Sequence, residues 1–325
     1  LLVSAKASAF IANETGETPL SSALAKKYEN VVRVLMHVRD EDGNTPLALA
    51  AQRGDVEAVK TLLAADASVD VTNNDGKTAL QLAVENENHA VVQLLGTITY
   101  AKENSAVAVA AENGDAVLLE KLVACKASLK VHNASGETPL MLASRNGHAA
   151  AVRVLVAARA AVRARDNQGL SALSVAAHLG HVDVMKILIA AKASLNVETS
   201  QGQTPLMLAT DAGHTDAVRV LVDAGADLDA YETEGFTPLM IAASTGRVDA
   251  VKILVDAQAS LDDQNRSGET ALIAAAAAGY ADIVNVLLDA GADHTIRSKQ
   301  DMTALDVAIE GKHEDVVQLL HLVHQ

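Results

Sequence analysis

Glycine recurs every 33 residues through the middle of this 325-residue chain. The recurring positions are Gly136, Gly169, Gly202, Gly235 and Gly268, with Asp301 at the next equivalent place. A fixed period of this length is typical of a repeat architecture, in which one small unit stacks on copies of itself. Because such an array grows by adding units, its length alone does not divide it into compact domains.

A hydroxyl side chain follows two residues after each of these positions, and then comes Pro or Ala and a Leu. These hydroxyls belong to Thr138, Ser171, Thr204, Thr237, Thr270 and Thr303. Such a hydroxyl can accept a hydrogen bond from a backbone N–H of a helix's first turn, and proline is tolerated at the first helical position. A second glycine, for example Gly213, ends this helix, and Val218, Leu221 and Val222 mark a second one by their spacing. The pattern predicts two short helices in every repeat.

Three of these segments share one motif. They read TPLMLASRNGH (138–148), TPLMLATDAGH (204–214) and TPLMIAASTGR (237–247). They resemble the ankyrin repeat, with its T-P-L-H-x-A core, Gly-His turn, V-x-x-L-[LV] helix and G-A-D ending. The resemblance covers essentially the whole chain and implies an all-α fold. That fold is an ankyrin-repeat solenoid of stacked antiparallel helix pairs, with β-hairpin or loop fingers that project sideways.

The chain departs from the motif at the position of its usual His. The residues found there are Met141, Ser174, Met207, Met240, Ile273 and Asp306. The hydrogen bonds that this His usually makes between neighbouring repeats are therefore not expected here.

The periodicity extends towards both ends and predicts about ten repeats in a single solenoid domain, residues 1–325. Repeats are expected to start near residues 16, 43, 76, 103, 136, 169, 202, 235, 268 and 301. The repeats at 16 and 76 are shortened to 27 residues, with deletions after Leu35 and Leu95, which predicts two stunted fingers. Residues 1–15 match only part of a repeat. The chain is expected to begin inside a repeat, either as a natural cap or because an upstream portion is missing.

Charge and composition narrow the classes of partner. The net charge of -15 disfavours nucleic acid, because binding to phosphates depends on Lys and Arg. The excess of acidic residues lies in residues 198–325, which hold 21 acidic and 7 basic residues. These acids either favour a basic partner or, on the outer faces, keep an extended protein soluble. No apolar run approaches the roughly 18 residues of a membrane span. With one cysteine and no secretory signal, an intracellular, cytoplasmic protein is expected.

No constellation of catalytic or metal-binding residues stands out, so we expect no enzyme activity, cofactor or metal. The glycines punctuate repeats and do not cluster into a phosphate-binding loop. His148, His181 and His214 occupy one turn position in successive repeats and lack the close pairing of zinc ligands, which favours a structural role. Cys125 falls at the end of a second helix, where a small, partly buried and unreactive residue is expected.

The resemblance implies that partners bind on the finger tips and on the exposed face of each first helix. Most residues predicted there are small or polar, and the exceptions gather in the middle of the chain. The candidate partner-binding residues are Arg165, Leu170, His178, Leu179, Tyr231 and Phe236. Aromatic residues and Arg often dominate interfaces. The alternative, that Leu170 and Phe236 pack between neighbouring fingers, stays open.

These observations predict a scaffold or adaptor that binds a protein partner on its concave face, as a monomer and without inserting into a membrane. A second hypothesis is a targeting or regulatory ankyrin domain of a larger enzyme, channel or effector protein, which the start inside a repeat would allow. A third, a catalytic protein, would require a pocket with convergent titratable groups.

Overall fold

The computed structural model describes residues 18–26, 28–96 and 106–323. Within these residues it contains twenty α-helices and no β-strand, which confirms the all-α prediction. The chain forms two compact units, residues 1–134 (unit 1) and residues 135–325 (unit 2).

Unit 1 contains four helix pairs. Its helices are α1 (Pro19–Ala25), α2 (Glu29–Leu35), α3 (Pro46–Arg53), α4 (Val56–Ala64), α5 (Ala79–Glu85), α6 (His89–Gly96), α7 (Ala106–Glu112) and α8 (Ala116–Ala124). The two members of each pair pack on one another, and α3 packs on α5 of the next pair.

Unit 2 contains six pairs. Its helices are α9 (Pro139–Arg145), α10 (Ala149–Ala157), α11 (Ala172–His178), α12 (Val182–Ala190), α13 (Pro205–Ala212), α14 (Thr215–Asp223), α15 (Pro238–Ser244), α16 (Val248–Asp256), α17 (Ala271–Ala278), α18 (Ala281–Asp289), α19 (Ala304–Glu310) and α20 (Glu314–Val323). First helices pack on the neighbouring first helices and second helices on second helices, so the unit has two layers.

The first helices begin where the recurring hydroxyl predicts. Thr204 has an extended backbone and accepts a hydrogen bond from the Met207 N–H, at 3.4 Å. The residue three places into the helix often returns the contact: the Met207 sulfur accepts from the Thr204 N–H, and Asp306 Oδ2 does the same for Thr303, at 2.9 Å. Met141, Met207 and Asp306, at the position of the motif's usual His, therefore complete a capping box within their own repeat.

The hydrophobic core is built from equivalent leucines that recur in successive repeats. In five of the six helix pairs of unit 2, one leucine of the first helix and one of the second helix are almost completely buried. In the first helices these are Leu140, Leu173, Leu206, Leu239 and Leu272, and in the second helices Leu155, Leu188, Leu221, Leu254 and Leu287. Since the equivalent leucines of neighbouring repeats lie in one layer, each repeat depends on its neighbours to exclude water.

The fingers are tight turns in the described residues, not the paired β-strands of the hairpins that the resemblance allowed. In one finger the Asp166 N–H donates to the Leu170 carbonyl at 3.0 Å, and the Gly169 N–H donates back to the Asp166 carbonyl. In unit 2 each finger is also tied to the next by a backbone hydrogen bond, as from the Ser200 N–H to the Gln168 carbonyl at 2.9 Å. Gly169 has a φ of +82° and lies so close to this next finger that a Cβ would stand 3.2 Å from the Ser200 nitrogen.

The shortened first repeat keeps the tip of its finger. Helix α2 has seven residues where α4 has nine, and residues 36–45 make the connection for which the next repeat uses residues 65–78. The Gly43 N–H still donates to the Asp40 carbonyl, and the Asn74 N–H donates to the Asp42 carbonyl. The deletion therefore shortens the second helix and the segment leading to the tip. The second predicted deletion, after Leu95, leads into residues 97–105, which lie outside the described residues, as does the partial repeat at 1–15.

We predict that Thr204→Ala lowers the free energy of unfolding of unit 2 by about 1 kcal/mol, the usual contribution of an N-cap hydroxyl. The reason is that the substitution leaves a buried N–H of α13 without its acceptor. Urea unfolding followed by circular dichroism measures the change.

Thr215→Ala is the matched control, because the half-buried Thr215 side chain forms no hydrogen bond with other described residues. Equal unfolding midpoints for the two variants would contradict the capping role.

Candidate functional site

A side chain from the next repeat reaches the turn between the two helices of a repeat and donates a hydrogen bond there. His181 Nε2 lies 2.9 Å from the Arg145 carbonyl, and His313 Nε2 lies 3.0 Å from the Ala277 carbonyl. Arg247 reaches the Asp211 carbonyl in the same way, at 3.0 Å. These side chains supply donors to the last turn of a neighbouring first helix, whose carbonyls lack partners inside the helix. This geometry supports the structural role predicted for the turn histidines. No group of three metal-ligating side chains occurs among the described residues.

Three of the predicted site residues meet in one cleft of unit 2. Leu170, His178 and Leu179 line a cavity of about 390 Å³, which we call the leucine cleft. Its other lining residues are Arg145, Gln168, Val175, Thr199, Ser200, Gln201, Gln203 and Leu208. The lining residues come from two fingers and from α9, α11 and α13, with Leu179 directly after α11. The cleft therefore lies where the fingers meet the first helices.

The leucine cleft combines an apolar floor with polar edges. Val175 and Leu208 are buried at its base, whereas the Leu179 side chain is 39% exposed and Leu170 is half-buried. Arg145 is held at the edge by an ion pair with Glu137, a carboxylate that is itself buried. The arrangement suits an apolar side chain flanked by hydrogen-bonding groups of a peptide.

Tyr231 lies in a second cavity of unit 2, of about 690 Å³, which we call the tyrosine cleft. This residue is 72% exposed. The cleft is formed by three successive fingers and lined by Glu198, Gly202, Asp229, Tyr231, Glu232, Thr233, Gly235, Thr237, Asp263, Gln264, Asn265 and Arg266. The predicted site residues are thus divided between two clefts.

Arg165 and Phe236 line neither cleft. The Arg165 guanidinium donates to the carbonyls of Gly169 and Glu198 and so joins two fingers. Phe236 is half-buried and its N–H donates to Glu232 Oε1 at 3.0 Å. Their role as partner contacts stays a prediction.

Sequence reasoning missed several residues of both clefts. Val175 and Leu208 of the leucine cleft, and Asp229 and Asp263 of the tyrosine cleft, are not among the predicted site residues. The signal that could have found them is their position in the repeat, because residues 33 apart come to lie in neighbouring fingers or helices.

Cys125, at the end of α8, is buried and lies 3.0 Å from His89 Nδ1. Burial, with a smaller contribution from the negative charge of Glu87, raises the pKa of the Cys125 thiol. The pair is therefore a protonated thiol next to a histidine, the opposite of an activated nucleophile.

The comparisons with known proteins place this architecture in a family. A family model described as ankyrin repeats in three copies matches residues 36–104, 107–199, 188–265 and 258–322. The chain belongs to the ankyrin repeat family, whose members are protein-interaction modules on a generally non-catalytic fold.

Similar curated proteins contain ankyrin regions within much longer chains. The chain is 30% identical to the potassium channel AKT2/3 of Arabidopsis thaliana over 133 residues, which cover 30% of this chain and 17% of the channel. It is 30% identical to a transient receptor potential cation channel homolog of Caenorhabditis elegans, subfamily A member 1, covering 39% of this chain and 11% of that protein. It is 43% identical over 54 residues to human palmitoyltransferase ZDHHC13, covering 17% and 9%. The chain thus spans a small part of these relatives.

A solved structure shows the same fold. The ankyrin repeat domain of Bcl-3, described as a member of the IkappaB protein family, superimposes with a TM-score of 0.62 and 26% sequence identity. The match covers 67% of this chain and 98% of the Bcl-3 chain. No helix among the described residues has the length and apolarity needed to cross a bilayer.

We predict that the Cys125 thiol is alkylated by iodoacetamide with a rate midpoint at higher pH than an exposed thiol of the same chain. The raised pKa leaves less thiolate at any given pH, and the thiolate is the reacting form. The control is a Cys125→Ala, Val117→Cys variant, since Val117 is 64% exposed on the same helix. A lower midpoint for Cys125 than for this control would contradict the prediction.

Proposed function

We propose that the chain is a scaffold or adaptor that binds an extended protein segment in the leucine cleft of unit 2. The observation that carries the proposal is the convergence of Leu170, His178 and Leu179 on one cavity between fingers and first helices. Single apolar side chains on a surface are ordinary, but a cleft that combines an apolar floor with polar edges is what a peptide side chain can fill.

The polar edge of this cleft supplies specificity for the partner segment. Gln168, Gln201 and Gln203 carry amides that can donate and accept hydrogen bonds along an extended backbone. Burial of apolar groups supplies affinity, while unpaired polar groups at the edge penalise segments of the wrong shape.

A second candidate function is that of a targeting or regulatory ankyrin domain within a larger enzyme, channel or effector protein. The similarity to two ion channels and a palmitoyltransferase is compatible with it, because in each case the match covers only a small part of the relative. The same cleft would then bind a segment of the larger protein or of its regulator.

Our proposal includes an absence of catalytic activity in this chain, a monomeric state and a cytoplasmic location. The raised pKa of the Cys125 thiol supports a structural role for this residue. The hydrogen bonds of His181 and His313 to first-helix carbonyls support the same role for the turn histidines.

We predict that Leu179→Ala weakens binding of peptides selected from a random phage-displayed library on the parent protein by about tenfold. Truncation of a central apolar contact typically costs more than 1 kcal/mol, and about 1.4 kcal/mol corresponds to tenfold in affinity. The control is Leu322→Ala, because Leu322 is a leucine of α20 with 69% exposure.

Fluorescence anisotropy of the selected peptides measures the affinities. Equal affinity for the parent and the Leu179→Ala variant, or equal losses in both variants, would contradict the leucine cleft as the binding site.

A further inference from the structure

In three described fingers, the residue just before the turn carries a side chain that donates to a carbonyl of the next finger. Arg165 Nε donates to the Gly169 carbonyl of its own turn at 3.1 Å, and its Nη2 donates to the Glu198 carbonyl one repeat later. Gln264 makes the same pair of contacts, to the Gly268 carbonyl at 2.6 Å and to the Arg297 carbonyl at 3.0 Å. A donor at this position therefore bridges two fingers.

One or the other of these two contacts recurs at the equivalent residues Arg297 and Arg39. Arg297 Nη1 donates to the Asp301 carbonyl of its own turn at 2.6 Å. In unit 1, Arg39 Nη1 reaches the Thr72 carbonyl of the following repeat at 3.1 Å. The spacing of four residues within the turn and 33 residues between repeats is the same throughout.

Two successive fingers of unit 2 lack this donor. The equivalent residues are Glu198, whose carboxylate can only accept when ionised, and Tyr231, which lines the tyrosine cleft and whose side chain forms no hydrogen bond with other described residues. In residues 198–266, all of which the structure describes, no protein donor is bonded to the four carbonyls that a bridge would reach. These carbonyls belong to Gly202, Tyr231, Gly235 and Gln264.

The tyrosine cleft coincides with this interruption. Glu198, Gly202, Tyr231, Gly235 and Gln264 all line it. The remaining lining includes the carboxylates of Asp229, Glu232 and Asp263, opposed by the single base Arg266. Asp229 and Glu232 accept backbone hydrogen bonds from Ser260, Glu234 and Phe236, so their negative charges are fixed at the cleft.

An equivalent position in the chain shows which chemical group can bond to both of these carbonyls. At Arg165 a guanidinium satisfies the own-turn carbonyl and the next-finger carbonyl together, a geometry that its fork of donors permits. We propose that the tyrosine cleft binds an arginine side chain of a partner segment, which supplies from outside the donor that Glu198 and Tyr231 do not. This inference rests on the proposed function, since it assumes a protein segment bound to unit 2, and it adds the chemistry of one of its side chains.

Three features favour arginine over other side chains. The acids of the lining attract a cation, and the exposed Tyr231 ring offers a face on which a planar guanidinium stacks. Two carbonyls on different fingers require donors that diverge, which a guanidinium provides at fixed geometry and an ammonium provides from a single point.

The direct test is titration of the full chain with the acetylated, amidated tripeptide Gly-Arg-Gly, followed by NMR of the backbone amides. Shifts are expected at Gly202, Thr233 and Gly235, with binding weakened by added salt because the contact is ionic. The tripeptides with lysine and with citrulline, a neutral isostere of arginine, are the matched ligands. Equal affinity of the arginine and citrulline peptides, or shifts confined to other surfaces, would overturn the proposal.

A designed variant tests the same idea from the protein side. Tyr231→Arg restores the internal donor, so we expect it to close the cleft, abolish binding of Gly-Arg-Gly and raise the unfolding temperature. Gln300→Arg is the matched control, since it adds the same charge at an exposed site in another finger and should retain at least half of the parent's affinity. Undiminished binding by the folded Tyr231→Arg variant would overturn the proposal.

The outcome is separable from that of the proposed function. Leu179 lines the leucine cleft and not the tyrosine cleft, so Leu179→Ala is expected to leave the affinity for the tripeptide unchanged while it weakens binding of the selected peptides. If the selected peptides depend on Leu179 but the tripeptide does not bind, the arginine site fails alone. If the tripeptide binds in the tyrosine cleft but Leu179→Ala leaves the affinity of the selected peptides unchanged, the arginine site is supported and the leucine cleft is contradicted as the binding site.

Discussion

The hydrogen bond that crosses from one repeat to the next is the interaction on which this structure depends. A finger of a few residues cannot satisfy its own backbone groups, and a helix of two turns leaves its last carbonyls without partners. Here the N–H of Ser200 reaches the preceding finger, and His181 reaches the preceding first helix. Each repeat therefore completes its predecessor, and the buried leucines add a cohesive layer that excludes water.

The same dependence produces the candidate sites. Where the bridging side chain is Arg165 or Gln264, its hydrogen bonds join two neighbouring fingers. Where it is Glu198 or Tyr231, the backbone bonds of the ladder persist but the carbonyls above them have no donor, and a cleft opens. The tyrosine cleft thus coincides with a local exception in a scaffold whose regular positions are already satisfied.

The helices could be predicted from sequence because their signals are local: a capping Thr, a Pro in the first turn and a spacing of leucines that one repeat already shows. Leu170, His178 and Leu179 could be predicted as neighbours for the same reason. The role of Arg165 could not, because its acceptors include a carbonyl 33 residues away that composition does not reveal. Tyr231 was recognised as an exposed aromatic residue, but its cleft depends on what the adjacent fingers lack.

Native-state hydrogen exchange at the finger amides tests this account most directly. The account predicts that the N–H groups of Ser200, Thr233, Arg266 and Lys299, each bonded to the preceding finger, exchange far more slowly than the N–H of an unstructured chain. It also predicts that Thr233, beside the open cleft, keeps this protection, because the backbone ladder does not depend on the missing side-chain bridge. Exchange of all four amides at unstructured rates would contradict the ladder and, with it, the rigid clefts on which both proposed binding sites rest.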